Sequence, residues 1–201
     1  VAEYSPLDIG ELASSIVNAL LRQPCDPLPP DAEFNGSGLY AIYYYGDYPV
    51  YRPIAEANRG EACSRPIYVG RATPSGGRKG WEEGEVPPEG PFLLRRLREH
   101  AESIRPAENL RITDFTCRYL ITDPLWIPLG ERLLVQRFRP VWNLDLDGFG
   151  NHDPGLGRQN QQRSPWDEVH KGRRWAEKLA PCRLNAEQLV QLLRTRVHSS
   201  D

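Results

Sequence analysis

Apolar residues recur with two periods along the chain, and the changes of period mark its elements. Ile9, Leu12, Ile16 and Leu20, with Ala13, Val17 and Leu21, fall on one helical face. Ser5-Pro6 ahead of them is a cap followed by a first-turn proline, and Pro24, Pro27, Pro29 and Pro30 stop the helix. The run GLYAIYYY (38–45) is rich in β-formers. PIYVG (66–70) reads as a second strand, pairing most simply as an antiparallel neighbour of the first. Residues 46–65 between them read as an extended hairpin or loop, and the Gly/Pro-rich residues 73–91, with Trp81-Glu82-Glu83, as a loop. PFLLRRLREHAESI (91–104) restores the helical period, with Phe92 or Leu93, Leu97 and Ala101 or Ile104 inward. Residues 110–121 read as a third strand, with Ile112, Phe115, Cys117 and Tyr119 as its patterned positions. Residues 126–138 read as a helix ended by Arg139-Pro140. Residues 144–172, rich in Gly, Asn, Gln and Asp, read as an extended loop. A last helix runs from an Asn185 cap through Leu189, Leu192 and Leu193 to Val197.

The order β, β, α, β, α, framed by a helix at each end, predicts an α+β fold: a three-stranded mixed or antiparallel sheet flanked by helices. The chain divides into an N-terminal helix and Pro-rich connector (1–36), a core (37–145) and a polar loop with a C-terminal helix (146–201), all within one globular unit. With 201 residues, a core of useful size is available, since such a chain buries roughly 70% of its unfolded surface. No apolar run approaches the ~20 residues of a membrane span. Val1 to Pro6 lack the basic start of a signal peptide, which sets the expectation of a cytoplasmic protein. Cys25, Cys63, Cys117 and Cys182 are far apart and include no C-x-x-C pair, so free thiols are expected rather than a zinc site or a disulfide framework.

Net charge is only −2, but it is unevenly spread: −5 over residues 1–36, −1 over 37–91, +3 over 92–174 and +1 over 175–201. The basic residues are 22 Arg and 3 Lys. Arginine forks onto phosphate and onto guanine edges, so this balance suits a nucleic-acid partner in the central and C-terminal parts, although a GC-biased genome also enriches arginine.

Arg96 and His100 stand at i and i+4 and so share a helical face, where such a pair is ordinarily just solvated. Glu131, early in the next helix, is by itself a dipole complement or a surface residue. Tyr40 and Tyr68, one on each strand, are by themselves packing residues with hydroxyls at the rim. Their order is more informative than any one of them. GLY (38–40), YVG (68–70), Arg96, Glu131 and the ending GERLLVQRFRPVWN (130–143) occur in sequence, each on the expected element. This set resembles the GIY-YIG nuclease superfamily over roughly residues 37–145. Leu39 and Val69 stand where isoleucine is usual, both apolar exchanges that a buried strand position tolerates. The 28-residue gap from Tyr40 to Tyr68 is long for the family and leaves Tyr44 and Tyr45 as alternatives to Tyr40. The Arg96/His100 pair and residues 148–176 resemble the type II restriction endonucleases of the superfamily, close relatives of which cut CCGCGG.

The resemblance implies a catalytic set of Tyr40, Tyr68, Arg96, His100, Glu131 and Asn143. Glu131 would bind one divalent metal, Mg with Mn as a substitute, a hard ion that takes oxygen ligands. Arg96 would hold a phosphate oxygen, Tyr40 would be the general base, His100 would pass the proton on, and Asn143 would orient Glu131 or close the site. Base or phosphate contacts would come from Arg71, Asn151, Arg158, Gln159, Asn160, Gln161, Gln162, Arg163, Arg173 and Arg174, whose side chains suit guanine, adenine and phosphate. A palindromic target implies a homodimer on double-stranded DNA, and a restriction enzyme implies a companion methyltransferase. The alternatives are a structure- or damage-directed nicking nuclease of the same fold, and a DNA-binding module that has lost catalysis.

Overall fold

The structure is a computed structural model and describes residues 9–74, 89–153 and 161–198. The expected Ser5-Pro6 cap, the Trp81 loop, and Arg158, Gln159 and Asn160 lie outside them. The elements are α1 (Ile9–Leu21), β1 (Asp26–Pro27), β2 (Gly38–Tyr44), α2 (Arg52–Gly60), β3 (Pro66–Ala72), α3 (Phe92–Ile104), β4 (Phe115–Ile121), α4 (Ile127–Phe138), α5 (Val141–Leu144), α6 (Pro165–Val169) and α7 (Ala186–His198). The sheet runs β1-β4-β2-β3, with every pairing antiparallel.

The run GLYAIYYY lacks a clean alternation because β2 is central and covered on both faces; every one of its residues is buried. On one face Leu39, Ala41 and Tyr43 pack with Val17 and Leu20 of α1 and Ile127 and Leu134 of α4. On the other, Tyr40, Ile42 and Tyr44 pack with Ile54 of α2, Leu93 and Leu97 of α3, and Trp142 of α5. Each such fully buried aliphatic or aromatic side chain stabilises the fold by about 1.5–3 kcal/mol.

Five expectations are corrected. The sheet has four strands, not three: Asp26 and Pro27 of the Pro-rich connector pair with Cys117 and Thr116. A proline is acceptable there because β1 is an edge strand and needs no donor on its outer side. Residues 46–65 are not an open hairpin or loop, since they contain α2. Pro53 lies in its first turn, where the missing N–H is harmless. Buried Asn58 ties this helix down, donating to the carbonyls of Tyr44 and Arg65 at 3.0 Å each and accepting from the Arg65 N–H at 2.8 Å. The third strand begins at Phe115 rather than at 110, because Ile112–Asp114 forms a 3-10 turn. Residues 144–172 are not wholly extended: Ser164 caps α6 by accepting from the Asp167 N–H. Finally, Cys25 and Cys63 are joined as a disulfide, leaving Cys117 and Cys182 free. The β1–β4 pairing brings their Cα atoms to 6.6 Å, within disulfide range, which no spacing along the chain reveals.

Candidate active site

The antiparallel register sets Tyr40 opposite Gly70 and Ile42 opposite Tyr68. Tyr40 and Tyr68 therefore lie diagonally on one face of the sheet, with ring centroids 6.2 Å apart. Gly70 makes this possible, because a Cβ there would collide with the Tyr40 hydroxyl and ring. The tyrosine ring thus crosses the neighbouring strand where only glycine leaves room. Tyr44 and Tyr45 are engaged elsewhere: the Tyr44 hydroxyl accepts from the Tyr48 N–H and the Tyr45 hydroxyl from the Cys63 N–H.

Tyr40 is not a rim residue but is 1% exposed, and its hydroxyl meets Nε2 of His100 at 2.6 Å. His100 is equally buried, on the same face of α3 as Leu97 and Ile104, so it is not the solvated histidine that its spacing from Arg96 suggests. Phe149 stacks on it, with centroids 4.5 Å apart and planes 17° from parallel. Burial, then the positive charge of Arg96, pushes the imidazole well below its ordinary pKa and keeps it neutral. Burial and the neighbouring Tyr68 push the Tyr40 hydroxyl well above its ordinary range, against the pull of Arg96. Burial also raises Tyr68, helped by the charge of Glu131 and opposed by Arg96. At neutral pH both groups are uncharged, and in the tautomer with Nε2 unprotonated the phenol donates to the imidazole.

Arg96 reaches the same place from α3, one turn before His100. Its Nη1 donates to Glu99 at 2.9 Å and is in contact with Nε2 of His152; its Nη2 donates to the Gly150 carbonyl at 3.0 Å. Glu131 projects from α4, close enough for its charge to raise the pKa of both Tyr40 and Tyr68. Burial raises the pKa of its own carboxyl, against the pull of Arg71, whose Nε lies 3.1 Å from Oε2. Glu131 is 30% exposed as a side chain. Among the described residues no three His, Cys, Asp or Glu side chains cluster as a metal cage. One accessible carboxylate beside two hydroxyls fits a Mg-type ion, which keeps most of its waters and binds through one or two carboxylates plus a substrate phosphate.

Asn143 does not touch Glu131. Its Nδ2 donates to the Val69 carbonyl at 2.8 Å and its Oδ1 accepts from the Val69 N–H at 2.9 Å. It closes the open edge of β3 beside Tyr68, so it positions the strand rather than the reacting atoms. Arg173 also differs from expectation. Its side chain is 3% exposed and lies over the Trp166 ring at 4.2 Å, paired with buried Asp167 at 3.4 Å. It donates to the carbonyls of Phe149 at 2.7 Å, Gly148 at 3.3 Å and Asn151 at 3.5 Å. A guanidinium so enclosed clamps residues 148–151 rather than reaching the surface. Arg163 is likewise turned inward, to Glu168 and to the carbonyls of Ala176 and Glu177. Arg71, Asn151, Gln161, Gln162 and Arg174 are exposed. Asn151, Gln161 and Gln162 line one polar cleft of about 600 Å³ with His152, Asp153 and Trp175. Phe149 and His152 were not singled out from sequence. His152 is 56 residues from the Arg96 it touches, and no local pattern joins them.

Two tyrosines on paired antiparallel strands, an arginine on the next helix and a glutamate on a later one thus come together as the resemblance to the GIY-YIG nucleases implies. The chain matches the model of the Eco29kI GIY-YIG domain over residues 32–197 and belongs to that family of restriction-endonuclease-like nucleases, whose substrate is DNA. A comparison with individually curated proteins returned no match. No helix among the described residues is long and apolar enough to cross a membrane.

Proposed function

We propose that the protein is a type II site-specific deoxyribonuclease of a restriction-modification system. It hydrolyses double-stranded DNA at a short GC-rich palindrome, with CCGCGG as the candidate site. It acts as a homodimer with one Mg ion per active site, Mn serving as a substitute. The observation that carries the chemistry is the 2.6 Å contact between Tyr40 and His100.

A buried tyrosine is a poor standing base, because burial opposes the phenolate. It need not stand as phenolate. As water attacks, Tyr40 takes the water proton while its own proton passes to Nε2 of His100, whose lone pair is free because the imidazole is neutral. The buried imidazolium that results is stabilised by the charge growing on the phosphate beside it. General-base assistance of this kind contributes about 10²–10⁴ in rate. Arg96 holds a phosphate oxygen through its fork and opposes the developing negative charge. Tyr68 fixes the water or the phosphate next to Tyr40. A divalent ion held by Glu131 would supply Lewis-acid stabilisation of the phosphate and of the departing 3′ oxygen. Base reading falls to the exposed amides of Asn151, Gln161 and Gln162 and to Arg158, Gln159 and Asn160, with Arg71 and Arg174 as phosphate contacts.

The test is incubation with a long unmethylated plasmid, with and without Mg. Discrete, reproducible bands only with Mg support this reading, and mapping the ends gives the target and the cut position. Nicked circles or a smear would replace it with a structure-directed nuclease, and binding without cleavage with a catalytically lost module.

A further inference from the structure

Arg96 is nearly saturated by the protein itself. The two N–H groups of Nη1 face Glu99 and His152, and Nη2 is given to the Gly150 carbonyl. Its remaining donors face Tyr40 and Tyr68, whose pKa values it lowers as a hydrogen-bonding neighbour. An incoming phosphate can be held in fork geometry only if one of these partners leaves. They differ in how firmly they are fixed. Tyr40 and Tyr68 are set in the sheet. Gly150 belongs to the segment clamped by buried Arg173, and a Cβ at Gly150 would lie 3.1 Å from the Tyr68 hydroxyl and 3.3 Å from Nη2 of Arg96, so this backbone is already pressed against the site. Glu99 is on the same helix as Arg96, three residues on.

His152 is the remaining partner. Its side chain is 61% exposed, and its polar contacts are Arg96 and, at 3.7 Å, Glu99. It follows the clamped residues 148–151 directly, so its place over Arg96 is set by the fold. It also lines the polar cleft with Asn151 and Gln162, two of the proposed base-reading residues. Released into water it gives up little packing and regains hydration. Burial at this spot, and Arg96 itself, hold its pKa below the ordinary value, so it faces Arg96 as an acceptor.

We propose that His152 is a stand-in for the scissile phosphate: it accepts the Nη1–H of Arg96 in the DNA-free enzyme and gives that donor up to a phosphate oxygen when DNA enters. Arg96 is thereby kept in its working orientation before substrate arrives, at the cost of one hydrogen bond to be exchanged on binding. His152 is a positioning residue and not a catalytic one. The inference rests on the nuclease reading of the site.

The experiment is fluorescence anisotropy with a short labelled DNA duplex of random sequence, without divalent metal, on the full chain. Because a net hydrogen bond is worth about 0.5–1.5 kcal/mol, His152→Ala is expected to bind the duplex roughly 2- to 12-fold more tightly than the parent. In the Arg96→Ala background the same substitution should change nothing, because the exchanged donor is gone. Weaker binding by His152→Ala would make His152 a DNA contact in its own right, and unchanged binding would mean that the contact carries no energy; either overturns the proposal. If the parent protein itself binds no duplex, the nuclease reading fails and this inference with it. His152→Asn, which keeps an acceptor, should restore part of the parent affinity; its failure to do so counts against the exchange.

Discussion

In the proposed chemistry Tyr40 and His100 depend on each other. The hydroxyl needs an acceptor that burial has kept neutral, and the imidazole needs a donor where no water reaches it. Tyr40→Phe keeps the packing and removes the proton path, so single-turnover cleavage should fall by about 10²–10⁴ while the thermal midpoint stays near that of the parent. A variant that still cuts at the parental rate would hand the base role to Tyr68. Glu131→Gln should abolish cleavage and leave duplex binding intact, since it removes the proposed metal ligand and not the readout; full activity would sink the metal assignment. Arg71 has a second role here. Paired with Glu131 at 3.1 Å, it competes with a cation for the carboxylate. Because partly exposed pairs are worth about 0.2–1 kcal/mol, Arg71→Met should tighten Mn²⁺ binding in the absence of DNA by at most about fivefold, read by electron paramagnetic resonance.

At the scale of elements, most periodic segments were legible because each buries a face at its own period. The helices at 92–104, 127–138 and 186–198 and the strands carrying the two tripeptides follow that rule. What was hidden is what depends on a distant partner. Residues 46–65 read as an extended hairpin or loop, but Asn58 finds the carbonyls of Tyr44 and Arg65 and ties a helix into the segment. β1 is two residues of a Pro-rich connector that become a strand only because β4 offers an edge. The same holds for the clamps. Asn143→Ala strips the Val69 N–H and carbonyl of their partners at the edge of β3 and should destabilise the fold by about 1–3 kcal/mol, seen as a lower urea midpoint with unchanged slope. Arg173→Met leaves Asp167 buried without its cation and should cost about 3–5 kcal/mol. Arg173→Lys should not restore it, because an ammonium does not span three carbonyls. If Arg173→Met folds normally and loses only DNA affinity, the arginine is a DNA contact after all.

Across the whole molecule, the buried histidines His100 and His170 tie stability to pH. His170 accepts from the Tyr51 hydroxyl at 2.7 Å and donates to Oδ1 of Asn109 at 2.8 Å, and burial pushes its pKa down to about 3. His100 is also lowered well below 6.5. Unfolded, both bind protons near pH ~6.5, so in acid the unfolded state holds more protons than the native one. Their neutral native forms are therefore fully tolerated above that value, and stability is lost as pH falls from there toward 3, by up to about 1.4 kcal/mol per pH unit for each histidine. The raised carboxyls of Glu131 and Asp167 act in the opposite sense and offset part of the loss at the acid end. Urea midpoints measured between pH 7 and 4 should fall steadily, and less steeply in His170→Gln. A flat profile in the parent would mean that neither histidine is held neutral.

By itself the sequence determined the α+β class and the order of β2, β3, α3, β4 and α4, and through its resemblance to the GIY-YIG nucleases it proposed Tyr40, Tyr68, Arg96, His100 and Glu131 as a set. These follow from local periodicity and from residue types kept in a fixed order along the chain. The tertiary structure alone decided which tyrosine hydroxyl meets His100, that Arg173 and Arg163 turn inward, that Asn143 grips Val69, that Cys25 reaches Cys63, and that His152 lies on Arg96. Each is a contact between residues far apart in sequence. Its energy depends on distance and burial, neither of which exists until the sheet has closed.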